Sequence, residues 1–302
     1  MTDSADVSAP GPPRAAENVP AEVEVQASPT FIVTFWGVRG NVPAPGAHTL
    51  RYGGNTACVE VSVGGQHLIF DGGTGLFALG RALMQRATAV NASLFFTNTH
   101  WDRIQGFPFF SPAFEYSTRL DIYGGAGLNG ASIKQQLMNQ MLRPNFFMPL
   151  QSMKADMTFH AIRAGGTVHL GDVVVETMSL NPQTRALGFR VTWAGHSLVY
   201  ATDTNHAQDA ADPNLLFLAE GTDLLIFDGT YADTAYADPI ARHMIPYKLG
   251  VQVAKEAGVN QLVLFHHNPC QDDKQLDDLG QEVRSHFPNT LIAHEGLTIR
   301  LV

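Results

Sequence analysis

Cysteine is scarce. Cys58 and Cys270 are the only two in 302 residues, they stand far apart, and no CxxC pair occurs. That excludes a disulfide framework and a cysteine-rich zinc module, and it suits a reducing, cytoplasmic setting. Charge is scarce too. Asp, Glu, Lys and Arg make up 16% of the chain, well below the usual quarter, so a coiled coil or a wholly disordered chain is excluded. The balance is acidic, with 19 Lys+Arg against 28 Asp+Glu and a net charge of −9. Bulk nucleic-acid or anionic-membrane binding through net charge is therefore not expected, whereas a small anion held in a local pocket is compatible. No run of about 18 apolar residues occurs. Nor is there a basic start followed by an apolar core, so neither a membrane span nor a signal peptide is expected.

What is present is a 45% hydrophobic content, enough for a large core, and twelve histidines. Residues 1–29 stand apart: Pro10, Pro12, Pro13, Pro20 and Pro29, no aromatic residue, and five acids against one arginine. Such a stretch buries too little apolar surface to offset the entropy of ordering, and it reads as a disordered acidic arm, with binding to a partner as its second reading. From residue 30 to 302 the chain reads as one domain. Short β-branched and aromatic runs such as FIVTFWGV, HLIFDGG, ASLFFTNTH, HSLVYATD, DLLIFDG and QLVLFHH alternate with Gly-rich turns. Helical spacing appears at Leu76, Leu79, Leu83 and Met84, and again at Leu249, Val253, Ala254 and Ala257, closed by Gly258. Many strands with a few helices between them predict layered sheets covered by helices.

Polar residues gather where these strands end. Thr74 follows FDGG, His100-Trp101-Asp102-Arg103 follows LFFTN, Asp203 follows LVYAT, Asp228 ends LLIF, and His266-His267 follows LVLF. Imidazoles with carboxylates and no thiolate suit a borderline-hard metal. Taken singly, each is as readily a turn residue or a solvated histidine.

The runs FWGVRGNVPAPGAHTLRYGGNTACVEV and IFDGGTGLFALG resemble metallo-β-lactamase-fold hydrolases of the ribonuclease Z and cyclic-nucleotide phosphodiesterase branch. TNTHWDRIQGFPFF, LGFRV, YATDT, FDGTYADTAY and LFHHNP follow in the same order. The resemblance implies an α/β fold, an αββα sandwich of two mixed sheets covered by helices, with two metal ions in a cleft at one edge. Its ligand pattern is a His-x-His-x-Asp-His loop, a later His, a bridging Asp and a last His. Those seven positions fall on Asn98, His100, Asp102, Arg103, Pro182, Asp203 and His266. Metal ligands therefore survive at His100, Asp102, Asp203 and His266 and are lost at the other three.

Arginine has no free lone pair and stays protonated, so two metals bound in the family manner are not expected. Three readings stay open. One divalent metal (Zn, Mn or Fe) could use the four surviving ligands, with Asp102 and His243 serving catalysis and His206 as a further loop histidine. Alternatively, Arg103 replaces the missing charge by pairing with Asp102 or Asp203, and no metal is bound. In the third, Arg103, with Asn98 and His267, holds a phosphate in a cleft that no longer hydrolyses. The function that the resemblance implies is accordingly a divergent hydrolase, phosphodiesterase-like on a small nucleotide or related phosphodiester, with at most one metal. The alternative is a non-catalytic protein that binds a nucleotide or another small phosphate-containing ligand. A homodimer fits either. Asp71 is expected to support a ligand histidine from behind.

Overall fold

Phe31, Val33 and Phe35 at alternating positions set the first strand, in which they are buried and the residues between them are half-exposed. In the computed structural model, which describes residues 30–86, 88–204, 211–229 and 246–302, that pattern repeats to build two seven-stranded mixed sheets. One sheet contains β1 (Phe31–Gly37), β2 (Cys58–Val63), β3 (Gln66–Phe70), β4 (Asn91–Phe96), β5 (Arg119–Gly124) and β6 (Asp156–Ala161). The other contains β7 (Thr167–Leu170), β8 (Val173–Asn181), β9 (Ala186–Trp193), β10 (His196–Ala201), β11 (Leu224–Asp228), β12 (Gln261–Phe265) and β13 (Thr290–Ile292). The last strand, β14 (Thr298–Arg300), returns to pair antiparallel with β1.

Among the described residues six α-helices flank the sheets: α1 (Gly75–Gln85), α2 (Trp101–Ile104), α3 (Ile133–Gln140), α4 (Pro213–Ala219), α5 (Tyr247–Glu256) and α6 (Asp273–His286). The central core lies between the sheets, where Phe70, Phe95, Phe189 and Tyr200 pack with ring centroids 5.4–5.6 Å apart. A second core seats α1 and α3 on the first sheet, and a third seats α4, α5 and α6 on the other. The αββα sandwich is thus confirmed.

Parallel pairing positions the site. β3, β4, β5 and β6 run parallel in one sheet, and β10, β11, β12 and β13 run parallel in the other. Their carboxyl ends, and the loops that leave them, converge on one edge, where such sheets place ligands. Both cysteines are free, Cys58 buried and Cys270 exposed. No helix among the described residues is long and apolar enough to cross a membrane. The arm expected over 1–29 lies outside the described residues.

Candidate functional site

Three residues that leave strands toward this edge adopt the left-handed backbone although none is glycine. Asp71 after β3 has φ 59°, Asp203 after β10 has φ 55° and His266 after β12 has φ 62°. Such conformations are sparse for side-chain-bearing residues and persist where the surroundings hold them. Asp71 and Asp203 turn their carboxylates onto Arg103, and His266 joins that centre through Asp102.

The Arg103 side chain is 0% exposed. Its Nη1 lies 3.2 Å from Asp71 Oδ2, its Nε 3.5 Å from Asp102 Oδ2 and its Nη2 3.4 Å from Asp203 Oδ2. Asp71 is anchored in turn by Tyr200 Oη at 2.9 Å and by the Thr97 amide and hydroxyl. Asp102 Oδ2 accepts from the Asn41 amide and stands 2.8 Å from His266 Nε2. Asp203 Oδ2 accepts from Asn98 Nδ2, while Asp228 Oδ2 accepts from the Asp203 amide. His100, 47% exposed, holds its Nδ1 3.7 Å from Asp203 Oδ2.

The electrostatics follow from this arrangement. Burial raises the carboxyl of Asp102, but Arg103 and His266 more than offset it and hold the group below the usual carboxylate range. Asp203 is lowered in the same way, against burial, by Arg103 and His266. At Asp71 burial outweighs Arg103, Thr97 and Tyr200, and the carboxyl is raised. Asp228 is raised well above its ordinary value by burial and by the charge of Asp203. Burial disfavours the Arg103 cation, yet the three aspartates override that and keep it charged.

The structure brings together Asn98, His100, Asp102, Arg103, Asp203 and His266, all expected from sequence. His267 is different. Its ring is fully buried and Nε2 donates to Ala293 O at 2.6 Å, and burial lowers its pKa to about 3. Its Nδ1, equally buried, has no hydrogen-bond partner among the described residues. Asp71 supports Arg103 directly rather than a ligand histidine. Pro182 lies exposed in the turn between β8 and β9. His243 and His206 lie outside the described residues.

Tyr200 was not foreseen as part of the site, and Asp228, one of the polar residues at the strand ends, was not named as a metal ligand. For Asp228 a signal existed, since YATD and LIFD end neighbouring parallel strands with an aspartate each. Asp203, Asp228 and His266 offer ligand atoms within 4.8 Å of one another. Asp228 Oδ1 is buried and has no hydrogen-bond partner among the described residues. This trio is the group that could hold a single metal ion.

A family model described as the beta-lactamase superfamily domain matches residues 66–267. Among curated proteins, ribonuclease Z of Synechococcus sp. (strain CC9605) is 37% identical over 108 residues, covering 35% of this chain and 32% of that protein. Ribonuclease Z of Gemmatimonas aurantiaca is 40% identical over 86 residues, covering 28% and 27%. The chain thus spans about a third of the length of the curated relatives it matches. Among solved structures, the metallo-beta-lactamase fold protein YhfI from Bacillus subtilis is 21% identical at a TM-score of 0.65, covering 90% of this chain and 99% of that one. Human tRNase Z, short form, is 19% identical at 0.62, covering 89% and 98%. Zinc-bound PqqB from Methylobacterium extorquens is 14% identical at 0.60, covering 89% and 99%. With the sandwich, the converging strand ends and a match over two thirds of its length, the chain belongs to the beta-lactamase superfamily.

Proposed function

We propose that this chain is a ligand-binding member of the superfamily whose cleft does not run two-metal hydrolysis. The observation that supports this is the Arg103 guanidinium, wholly buried against Asp71, Asp102 and Asp203. The second metal of the family pattern would draw on Asp102, the residue at position 103, Asp203 and His266. A guanidinium there offers no lone pair and repels a dication, so the donor set does not fit that metal. The first metal would need Asn98, His100, Pro182 and Asp203, of which Pro182 has no side-chain donor. Asp102 and Asp203, held below their usual range, are also weak bases toward water. What the cleft retains is a concave site with cationic and polar groups. It suits a small phosphate-bearing ligand rather than a nucleic-acid surface, in keeping with the net charge of −9.

One observation favours a second reading, a mononuclear hydrolase. The unpartnered Asp228 Oδ1 sits in the trio with Asp203 and His266. Their donors suit Zn, Mn or Fe, and such an ion, when bound, would supply a Lewis acid and a water of lowered pKa.

The test is the metal content of protein purified without chelators, together with turnover of bis(4-nitrophenyl) phosphate. The binding reading expects far less than one ion per chain and no turnover. About one ion per chain, with turnover abolished by Asp203→Ala and Asp228→Asn, would replace it with the hydrolase.

A further inference from the structure

Asn98 and His100, but not Arg103, line a half-open cavity of about 300 Å3. Its walls come from the end of β4, the loop between β5 and α3, the first turns of α3, and the turn between β8 and β9. Phe96 and Ile133 supply a buried apolar wall. No carboxylate lines the cavity, whereas Arg185 and His100 both do.

Two lining residues each leave a buried polar atom unused. Gln136 Oε1 accepts from Thr99 Oγ1 at 2.7 Å, and Nε2 has no partner among the described residues. Thr184 Oγ1 is buried and equally unpartnered. Buried polar groups in native proteins find partners, so two orphans in the cavity lining, one on α3 and one in the β8–β9 turn, point to a ligand that would satisfy them.

Arg185 adds an independent sign. It holds φ 58°, a left-handed conformation that an arginine adopts only at a cost, and its Nη1 donates to Gly127 O at 2.8 Å. That bond ties the β8–β9 turn to the β5–α3 loop beside the cavity. A guanidinium has five donors in a planar fork, and this contact uses one of its three nitrogens. Strain retained at the rim of a cavity is characteristic of a binding position.

We propose that this cavity binds a small organic anion. Its carboxylate or phosphate is taken by Arg185, Gln136 and Thr184, and its apolar body lies on Phe96 and Ile133. The proposal rests on the reading of the cleft as a binding site and specifies where, and for what chemistry, that site is built.

The experiment is calorimetric titration of the full chain, with chelator present throughout, against phenyl phosphate, benzoate and the neutral benzyl alcohol. At least one anion is expected to bind at one site per chain, and benzyl alcohol is not. Comparing the two anions identifies which headgroup the site takes. Arg185→Gly should weaken the anion at least about tenfold by removing a charge-assisted contact. Because glycine adopts φ 58° freely, the thermal midpoint should stay within about 3 °C. Gln136→Leu should weaken binding several-fold. If neither anion binds, or both variants bind as tightly as the parent, the proposal is overturned. Metal-dependent turnover would instead sink the binding reading of the cleft, and the two failures are separable because chelator excludes metal from the titration.

Discussion

On one side of the cleft a lost ligand is replaced by a cation that fills the space; on the other, the lost ligand position Asn98 borders a cavity. Arg103 is buried among three aspartates. Asn98 and His100, a few residues earlier on the same loop, border about 300 Å3 of open volume and a half-exposed imidazole. The contrast shows that the two sides have different tasks. A permanently charged side chain without access to water is held by the fold and holds the fold. A cavity with unpartnered donors contributes little to stability and is available to a ligand.

The largest expected effect tests the filled side. Arg103→Met leaves Asp71, Asp102 and Asp203 crowded together without their cation. Removing one partner of a buried ion pair typically costs about 3–5 kcal/mol, which for a domain of this size lowers the thermal midpoint by roughly ten degrees. Arg103→Lys should fall between the two, since it keeps the charge and loses the fork. A midpoint for Arg103→Met within a degree or two of the parent would erase the contrast between the two sides.

Reading these aspartates in an acid titration requires removing a competing signal elsewhere. Glu60 is buried, and burial raises its carboxyl, but His67, Trp36 and Arg86 together bring it down to about 2. An unfolded glutamate titrates near ~4.3. Since the folded value is the lower one, the stabilisation is present above that pH and is lost as pH falls from about 4 toward 2, up to about 3 kcal/mol in all. Glu60→Gln should therefore flatten the acid limb of stability against pH, measured by urea unfolding. An unchanged limb would mean that acid sensitivity belongs to the cleft.

Arg103→His sharpens the comparison in another way. It removes the cation and adds an imidazole to Asp102, Asp203 and His266, four donors of the kind zinc takes. The variant should bind about one zinc per chain where the parent binds far less, and free zinc at a hundred times its Kd should then stabilise it by about 2.7 kcal/mol. Metal analysis and thermal unfolding with and without zinc decide this. Equal metal content in parent and variant would show that Arg103 does not control access to that position.

Much of this was legible in the sequence, and the exceptions have physical reasons. Strands with consecutive Val, Ile or Phe announced themselves, because burial on both faces leaves no polar residue to break the run. β6, DMTFHA, did not, since it is partly exposed along its whole length. The closing run TLIAHEGLTIRLV reads as one element, yet it splits into β13 and β14 in different sheets. α3 and α4 are short and give few turns of periodicity. α6 carried a readable start, the Asp272–Gln275 capping box ahead of Leu276, Leu279 and Val283. At the site, the replacement of a ligand by Arg103 suggested a pair with Asp102 or Asp203, and both occur. The contact with Asp71, 32 residues away in sequence, and the anchor from Tyr200, 129 residues from Asp71, depend on how the two sheets face each other. No local pattern encodes that juxtaposition.

The smallest effect is expected at Arg185, and its smallness is what distinguishes the open side. Three terms compete in Arg185→Gly. Relief of the left-handed conformation at φ 58° returns roughly 1–2 kcal/mol. Loss of the bond from Nη1 to Gly127 O removes about 1 kcal/mol, and the wider freedom of glycine in the unfolded chain removes up to about 1 kcal/mol more. These nearly cancel, so denaturant unfolding should give a change under about 1 kcal/mol, several-fold smaller than that of Arg103→Met. A loss above about 2 kcal/mol would mean that Arg185 clamps the two loops as a structural element. The cavity beside it would then be packed space of the same kind as the Arg103 side. A near-zero change with weakened anion binding separates the two sides, one built to hold the fold and the other to hold a ligand.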